Sequence, residues 1–169
     1  ELEETEWLKV HKLIIEAIAA TNNFRITEGE TLQQELLQRT NNILSLLKQV
    51  DVYEPKRLEV VKERIATHLA EAVGKENINK DRFEQELIFY IEKFDVTEEK
   101  TRLTTHCNYF IETIKNDNSE GRKLGFITQE MGREINTLGS KANNVDIQML
   151  VVQMKDELEK IKEQLLNVL

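Results

Sequence analysis

The chain holds one cysteine, Cys107, which excludes an intramolecular disulfide and any zinc site assembled from several thiolates. One proline and six glycines are too few for a fold of many tight turns, so long helices are expected. No apolar run approaches the roughly 18 residues that a membrane-spanning helix requires, because Glu or Lys interrupts the longest candidates every few positions. Glu1 stands where a methionine would, with no basic segment leading into an apolar one, so no signal peptide is visible and the chain reads as a fragment or a processed product. Also missing are period-two alternation, low-complexity tracts, internal repeats, a phosphate-binding glycine loop, a dinucleotide turn, a nucleophile elbow and an HExxH pair. These absences leave an all-α chain, and the lone thiol fits a reducing cytoplasm.

What is present is charge laid over apolar stripes. Charged residues make up 32% of the 169 positions, hydrophobic ones 40%, and the net charge is -8. So acidic a surface repels a phosphate backbone, which confines any RNA or DNA site to a local cluster or to another domain or subunit.

Apolar residues recur three and four apart in seven stretches, the period of one helix face. In 2–24 they are Trp7, Val10, Leu13, Ile14, Ala17 and Ile18, with Gly29 expected to bend or end that helix at a cost of about 1 kcal/mol relative to alanine. In 30–50 they are Leu32, Leu36, Ile43, Leu47 and Val50, interrupted by Arg39, Thr40, Asn41 and Asn42, which read as a water-facing turn. Residues 51–55 read as a boundary, because Pro55 disfavours helical geometry at Glu54 and suits the first turn of a new helix. That helix carries Leu58, Val61, Ile65, Leu69 and Val73 and stops at Gly74. Asn79 or Asp81 would cap the next, with Phe83, Leu87, Ile88, Ile91 and Phe94 facing a core. Thr97 would cap a fifth, with Leu103, Cys107, Phe110 and Ile114 on its apolar side and Glu99, Arg102, His106 and Tyr109 on an adjacent one. Ser119 would cap a sixth, over 120–138, buried through Leu124, Ile127, Met131, Ile135 and Leu138 and ending near Gly139. Asn143 and Asn144 would start a seventh, where Ile147, Val151, Met154, Leu158, Ile161, Leu165 and Val168 keep a heptad seam against another helix or another copy of the chain. The expected architecture is long antiparallel helices in hairpins or a bundle with coiled-coil-like packing, divided into a connecting or oligomerising segment 1–54 and a domain 55–169.

The stretch 121–144 gathers Arg122, Lys123, Gln129, Glu130, Arg133, Glu134, Asn136, Thr137, Ser140 and Lys141. Glu130 and Glu134, four apart, project from one helix face and can share a hard divalent cation such as Mg²⁺ or Mn²⁺, although such pairs are common on solvated helices. Arg122, Lys123, Arg133 and Lys141 are the best local phosphate contacts. His106 has the reference pKa of about 6.5 that suits an acid, a base or a metal ligand, and equally could be a structural histidine beside a carboxylate. His11 and His68 have no polar neighbours comparable to those of His106 and read as surface or packing residues; Cys107, on an apolar side, reads as a buried inert thiol.

RFEQEL at 82–87, DVTEEKTRLTTH at 95–106, GRKLGFITQEMGREINTLGSKA at 121–142 and the final EKIKEQLLNVL closely resemble the C-terminal half of the bacterial YicC/YloC family. TEGETL resembles it more weakly, and nothing resembles the additional N-terminal domain of longer family members. The resemblance implies the helical C-terminal portion of a divalent-metal endoribonuclease, cytoplasmic and assembled as a ring-like homo-oligomer, a hexamer in the intact protein. It also implies a role in RNA turnover, at least one family member being linked to RNA decay with an exoribonuclease, while the lack of a long apolar run implies no membrane. The matching polar positions are Glu86, Glu99, Arg102, His106, Gln129, Glu130, Arg133, Glu134, Asn136, Thr137, Ser140 and Lys141. The roles we assign are His106, Glu130 and Glu134 in catalysis, and Glu130 and Glu134, helped by Glu99 or Glu86, on the metal. Arg102, Arg122, Arg133, Asn136, Thr137, Ser140 and Lys141 would bind RNA. The alternative is a helical, oligomeric RNA-binding scaffold that presents RNA to a separate nuclease.

Overall fold

The structure is a computed structural model that describes residues 3–73, 80–116 and 121–167. Its elements are α1 (Glu4–Val73), α2 (Lys80–Phe94), α3 (Thr97–Ile114), α4 (Gly121–Ala142) and α5 (Val145–Leu165), with no strand among the described residues. The fold is all-α. Among the described residues, no helix is long and apolar enough to cross a membrane.

The three stretches read between 2 and 74 are one 70-residue helix, which corrects the expected breaks at Gly29 and Pro55. Gly29 costs about 1 kcal/mol, too little to stop a helix flanked on both sides by helix-forming sequence. Pro55 removes one N–H and leaves the Asp51 carbonyl without its partner four residues on. Both residues are exposed, so water can take that carbonyl. The opposite side is pinned: Val50 and Arg57 are buried, and Arg57 reaches the Phe94 and Ala142 carbonyls. The helix therefore passes without a break through the expected division at 54/55.

The middle of α1 packs with α3, α4 and α5 into a four-helix bundle. Gln33 donates to the Ile114 carbonyl at 2.9 Å while Lys100 reaches Asp51 and Glu54, so α3 runs antiparallel to α1. Arg39 pairs with Glu157 and Gln164 donates to Glu35, so α5 does too. With α4 returning between them, the bundle is up-down-up-down around a single cluster that includes Leu36, Ile43, Leu103, Phe110, Met131, Ile135, Met154 and Ile161. The heptad seam of α5 is filled within the bundle by α1 and α4. Gly139 lets α5 approach closely: a Cβ there would stand 3.0 Å from Val151.

The polar interruption at 39–42 is not a water-facing turn. Thr40 is fully buried with its hydroxyl on the Leu36 carbonyl, and Arg39 and Asn42 both reach Glu157 of α5. The stripe at 7–18 is exposed, Trp7 at 52%, because the bundle begins only near Leu32. In α2, Ile88 is exposed, while Phe83, Leu87, Ile91 and Phe94 are half-buried.

Thr97 is the first helical residue of α3 rather than its cap: the Asp95 carboxylate accepts from the Thr97 N–H and hydroxyl. Asp81 lies within the first turn of α2. α4 runs past Gly139 to Ala142, Asn143 takes a left-handed φ of 42°, and Asn144 caps α5 by accepting from the Ile147 N–H. The expectations for Gly74, Asn79, Ser119 and Val168, and for the side chains of Leu58 and Val73, lie outside the described residues.

Candidate functional site

Leu103, Cys107 and Phe110 of α3 and Leu124, Ile127, Met131, Ile135 and Leu138 of α4 bury each other's helices in an antiparallel pair. That packing fixes what lies along the outer edge of the seam. His106 of α3 meets Glu130 and Glu134 of α4, and one ring nitrogen and one oxygen from each carboxylate lie within 4.8 Å of one another. Exposure is graded across the group: Glu134 is buried, His106 half-buried and Glu130 exposed. A buried carboxylate is costly without a counter-charge or donors, and the imidazole is in reach to serve.

The donor set, one imidazole and two carboxylates open to solvent on one side, fits a divalent cation that keeps several waters. Ligands at about 2.1 Å from one octahedral ion stand about 3 Å apart in cis and about 4.2 Å in trans. A group whose donor atoms all lie within 4.8 Å of one another is on that scale, and the exposed Glu130 is free to rotate toward an ion. The ring nitrogen that faces the carboxylates can ligate the ion or take a proton from a group bound to it, but not both at once.

Of the other site residues assigned from sequence, Arg133 alone has an ion pair with a member of this group among the described residues. Glu99 is buried and ion-paired with Lys141 at 2.8 Å, and Glu86 is exposed on α2; neither belongs to the group of three. Arg102 pairs with Glu98 one turn back, and Arg133 lies 3.6 Å from Glu130, which aims one cation at the cluster. Arg122, Asn136 and Ser140 are exposed on the outer side of α4, with Gln129 among them. Thr137 and Ser140 donate their hydroxyls to the Arg133 and Thr137 carbonyls and keep only acceptor capacity for a ligand.

Cys107 is buried behind His106, and burial pushes its thiol up to about 12, which makes it inert. His11 and His68 are exposed on α1.

Two features escaped the sequence reading. Arg57 is buried and holds the carbonyl ends of α2 and α4 to α1; its signal was a position in the same stripe as Val50 and Val61. Lys123 Nζ sits 5.1 Å from the centre of the Tyr109 ring, a cation–π contact across the α3–α4 seam that no spacing within one helix could reveal.

A family profile described as "Endoribonuclease YicC-like, C-terminal" matches residues 50–169. A protein of Clostridioides difficile named "Probable endoribonuclease YicC" is 32% identical over 167 residues, which cover 98% of this chain and 57% of that protein. A protein of the same name from Haemophilus influenzae is 36% identical over 141 residues, covering 83% of this chain and 48% of its own length. The chain thus spans about half the length of these curated relatives.

Proposed function

The chain belongs to the YicC family, and we propose that it is the helical part of a metal-assisted endoribonuclease whose cutting site is the His106–Glu130–Glu134 group. The observation that carries this reading is the convergence of those three side chains from two helices within 4.8 Å. Glu130 and Glu134 would hold Mn²⁺ or Mg²⁺, with no help from Glu99 or Glu86. When bound, the cation supplies Lewis-acid polarisation of a phosphate oxygen and a lowered pKa for a coordinated water.

The protein's own groups then have defined tasks. His106, left off the metal, takes the proton of the attacking oxygen, from water or a ribose hydroxyl, as one bond to phosphorus forms and the bond to the leaving oxygen breaks, and solvent water protonates that leaving oxygen. Arg133, beside Glu130, stabilises charge that builds on the phosphate, and Arg122 holds the strand along α4. Arg102 sits one turn from His106 and can exchange Glu98 for a phosphate. Lys141 is committed to Glu99 and contributes field more than contact. The activity would serve cytoplasmic RNA turnover by a homo-oligomer of the intact protein, with an exoribonuclease consuming the fragments.

The test uses the intact protein, labelled single-stranded RNA and Mn²⁺. Glu130→Gln and Glu134→Gln are expected to lose cleavage by about a hundredfold or more while keeping RNA affinity, and Mn²⁺ titration of the same variants should lose its binding isotherm. Undiminished cleavage in both variants would sink the assignment. RNA binding with no cleavage until a second nuclease is added would favour the scaffold reading.

A further inference from the structure

α4 divides its residues by face: Leu124, Ile127, Met131, Ile135 and Leu138 are buried, while Arg122, Gln129, Arg133, Asn136 and Ser140 are exposed. Phe126 breaks the division. It stands on the polar face, 60% exposed, between Arg122 and Glu130. A single exposed aromatic residue is unremarkable on its own. A second one lies across the seam, where Tyr109 of α3 is 45% exposed with Lys123 over its ring.

The two rings share a level in the bundle. Tyr109 follows His106 by three residues and Phe126 precedes Glu130 by four, and the helices are antiparallel, so both are displaced toward the same end. At 1.5 Å per residue the displacements are about 4.5 Å and about 6 Å along the axes. That is the scale of one nucleotide step in an extended single strand. Lys123, contacting Tyr109 and three residues from Phe126, supplies positive charge at the same level.

We propose that Tyr109 and Phe126, with Lys123, form a nucleobase-stacking subsite that seats the base next to the phosphate held at His106, Glu130 and Glu134. This rests on the RNA reading above and adds how the substrate is positioned. Every base has a π-face, so the subsite selects unpaired bases over duplex while tolerating any sequence. A base inside a duplex has both faces covered by its stacked neighbours and could not offer one to the rings.

The test measures binding by the intact protein, with Ca²⁺ present to bridge the carboxylates and a phosphate, of a short single-stranded RNA and of a ribose-phosphate oligomer of equal length that lacks bases. The protein is expected to prefer the base-bearing oligomer by about tenfold to a hundredfold. Tyr109→Ala with Phe126→Ala should abolish the preference while affinity for the base-free oligomer and the dependence of binding on salt stay the same. Tyr109→Phe and Phe126→Tyr should keep it, which a loss of folding or of the Tyr109 hydroxyl would not reproduce. A preference that persists in the double alanine variant, or equal binding of the two oligomers by the unsubstituted protein, would overturn the subsite and leave the RNA reading standing. Failure of the unsubstituted protein to bind either oligomer would remove both.

Discussion

Lys141 Nζ lies 2.8 Å from Glu99 Oε1 and ties the last turn of α4 to the first turn of α3, with the second Glu99 oxygen buried and unpartnered. Sequence alone points Glu99 to a metal and Lys141 to RNA, and the pairing gives each a structural task. Lys141→Met should cost about 2 kcal/mol, less than a wholly buried pair because the lysine side chain is 33% exposed. Combining it with Glu99→Gln should recover part of the loss. Urea denaturation of the two single variants and the double variant checks this, and strict additivity would mean the two residues do not interact.

Asp95 offers a pH test. Hydrogen bonds from the Thr97 hydroxyl and N–H, aided by the charges of Lys141 and Arg57, hold its carboxyl below the usual range despite partial burial. A depressed folded pKa contributes stability that is present above the unfolded value, about 3.9, and is lost as pH falls through the folded one. Asp95→Ala should therefore be less stable than the parent at pH 7, with the gap closing below about pH 4. Denaturation midpoints across that range would show it; a gap independent of pH would not fit.

Gly139 and Gly125 lie in the same helix and should respond oppositely to alanine. At Gly139 the new Cβ meets Val151 at 3.0 Å, so the Val151 side chain must give by a few tenths of an ångström within a packed seam, and a loss of about 1–2 kcal/mol is expected. At Gly125 nothing lies within 4 Å, so alanine should raise stability by up to about 1 kcal/mol. Thermal melts of the two variants give the comparison directly.

Cys107, buried and with its thiol raised to about 12, should resist a thiol-disulfide reagent at pH 8 in the folded chain and react fully in denaturant. Rapid labelling of the native chain would place it at the surface instead.

The core of α3, α4 and α5 was legible because Leu103, Phe110, Met131, Ile135 and Met154 repeat with the helical period. Glu130 and Glu134 could likewise be placed on one face. The nearness of His106 to them could not, since it depends on how α3 slides against α4, and that register is set by how the buried faces of the two helices interlock. The same limit explains Trp7 to Ile18, whose spacing defines a face but not a partner. At Pro55 the local rule forecast a boundary and tertiary contacts through Arg57 and Lys100 overrode it. At 39–42 polar side chains that looked solvated were answering Glu157 on a helix more than a hundred residues away.

The 70 residues of α1 extend for about 105 Å, whereas a compact chain of this length has a radius of gyration of about 15 Å. Such a rod diffuses slowly for its mass and leaves a sizing column early. A single copy would elute where a globular dimer does, so the number of chains in solution has to be counted by scattered light or sedimentation equilibrium.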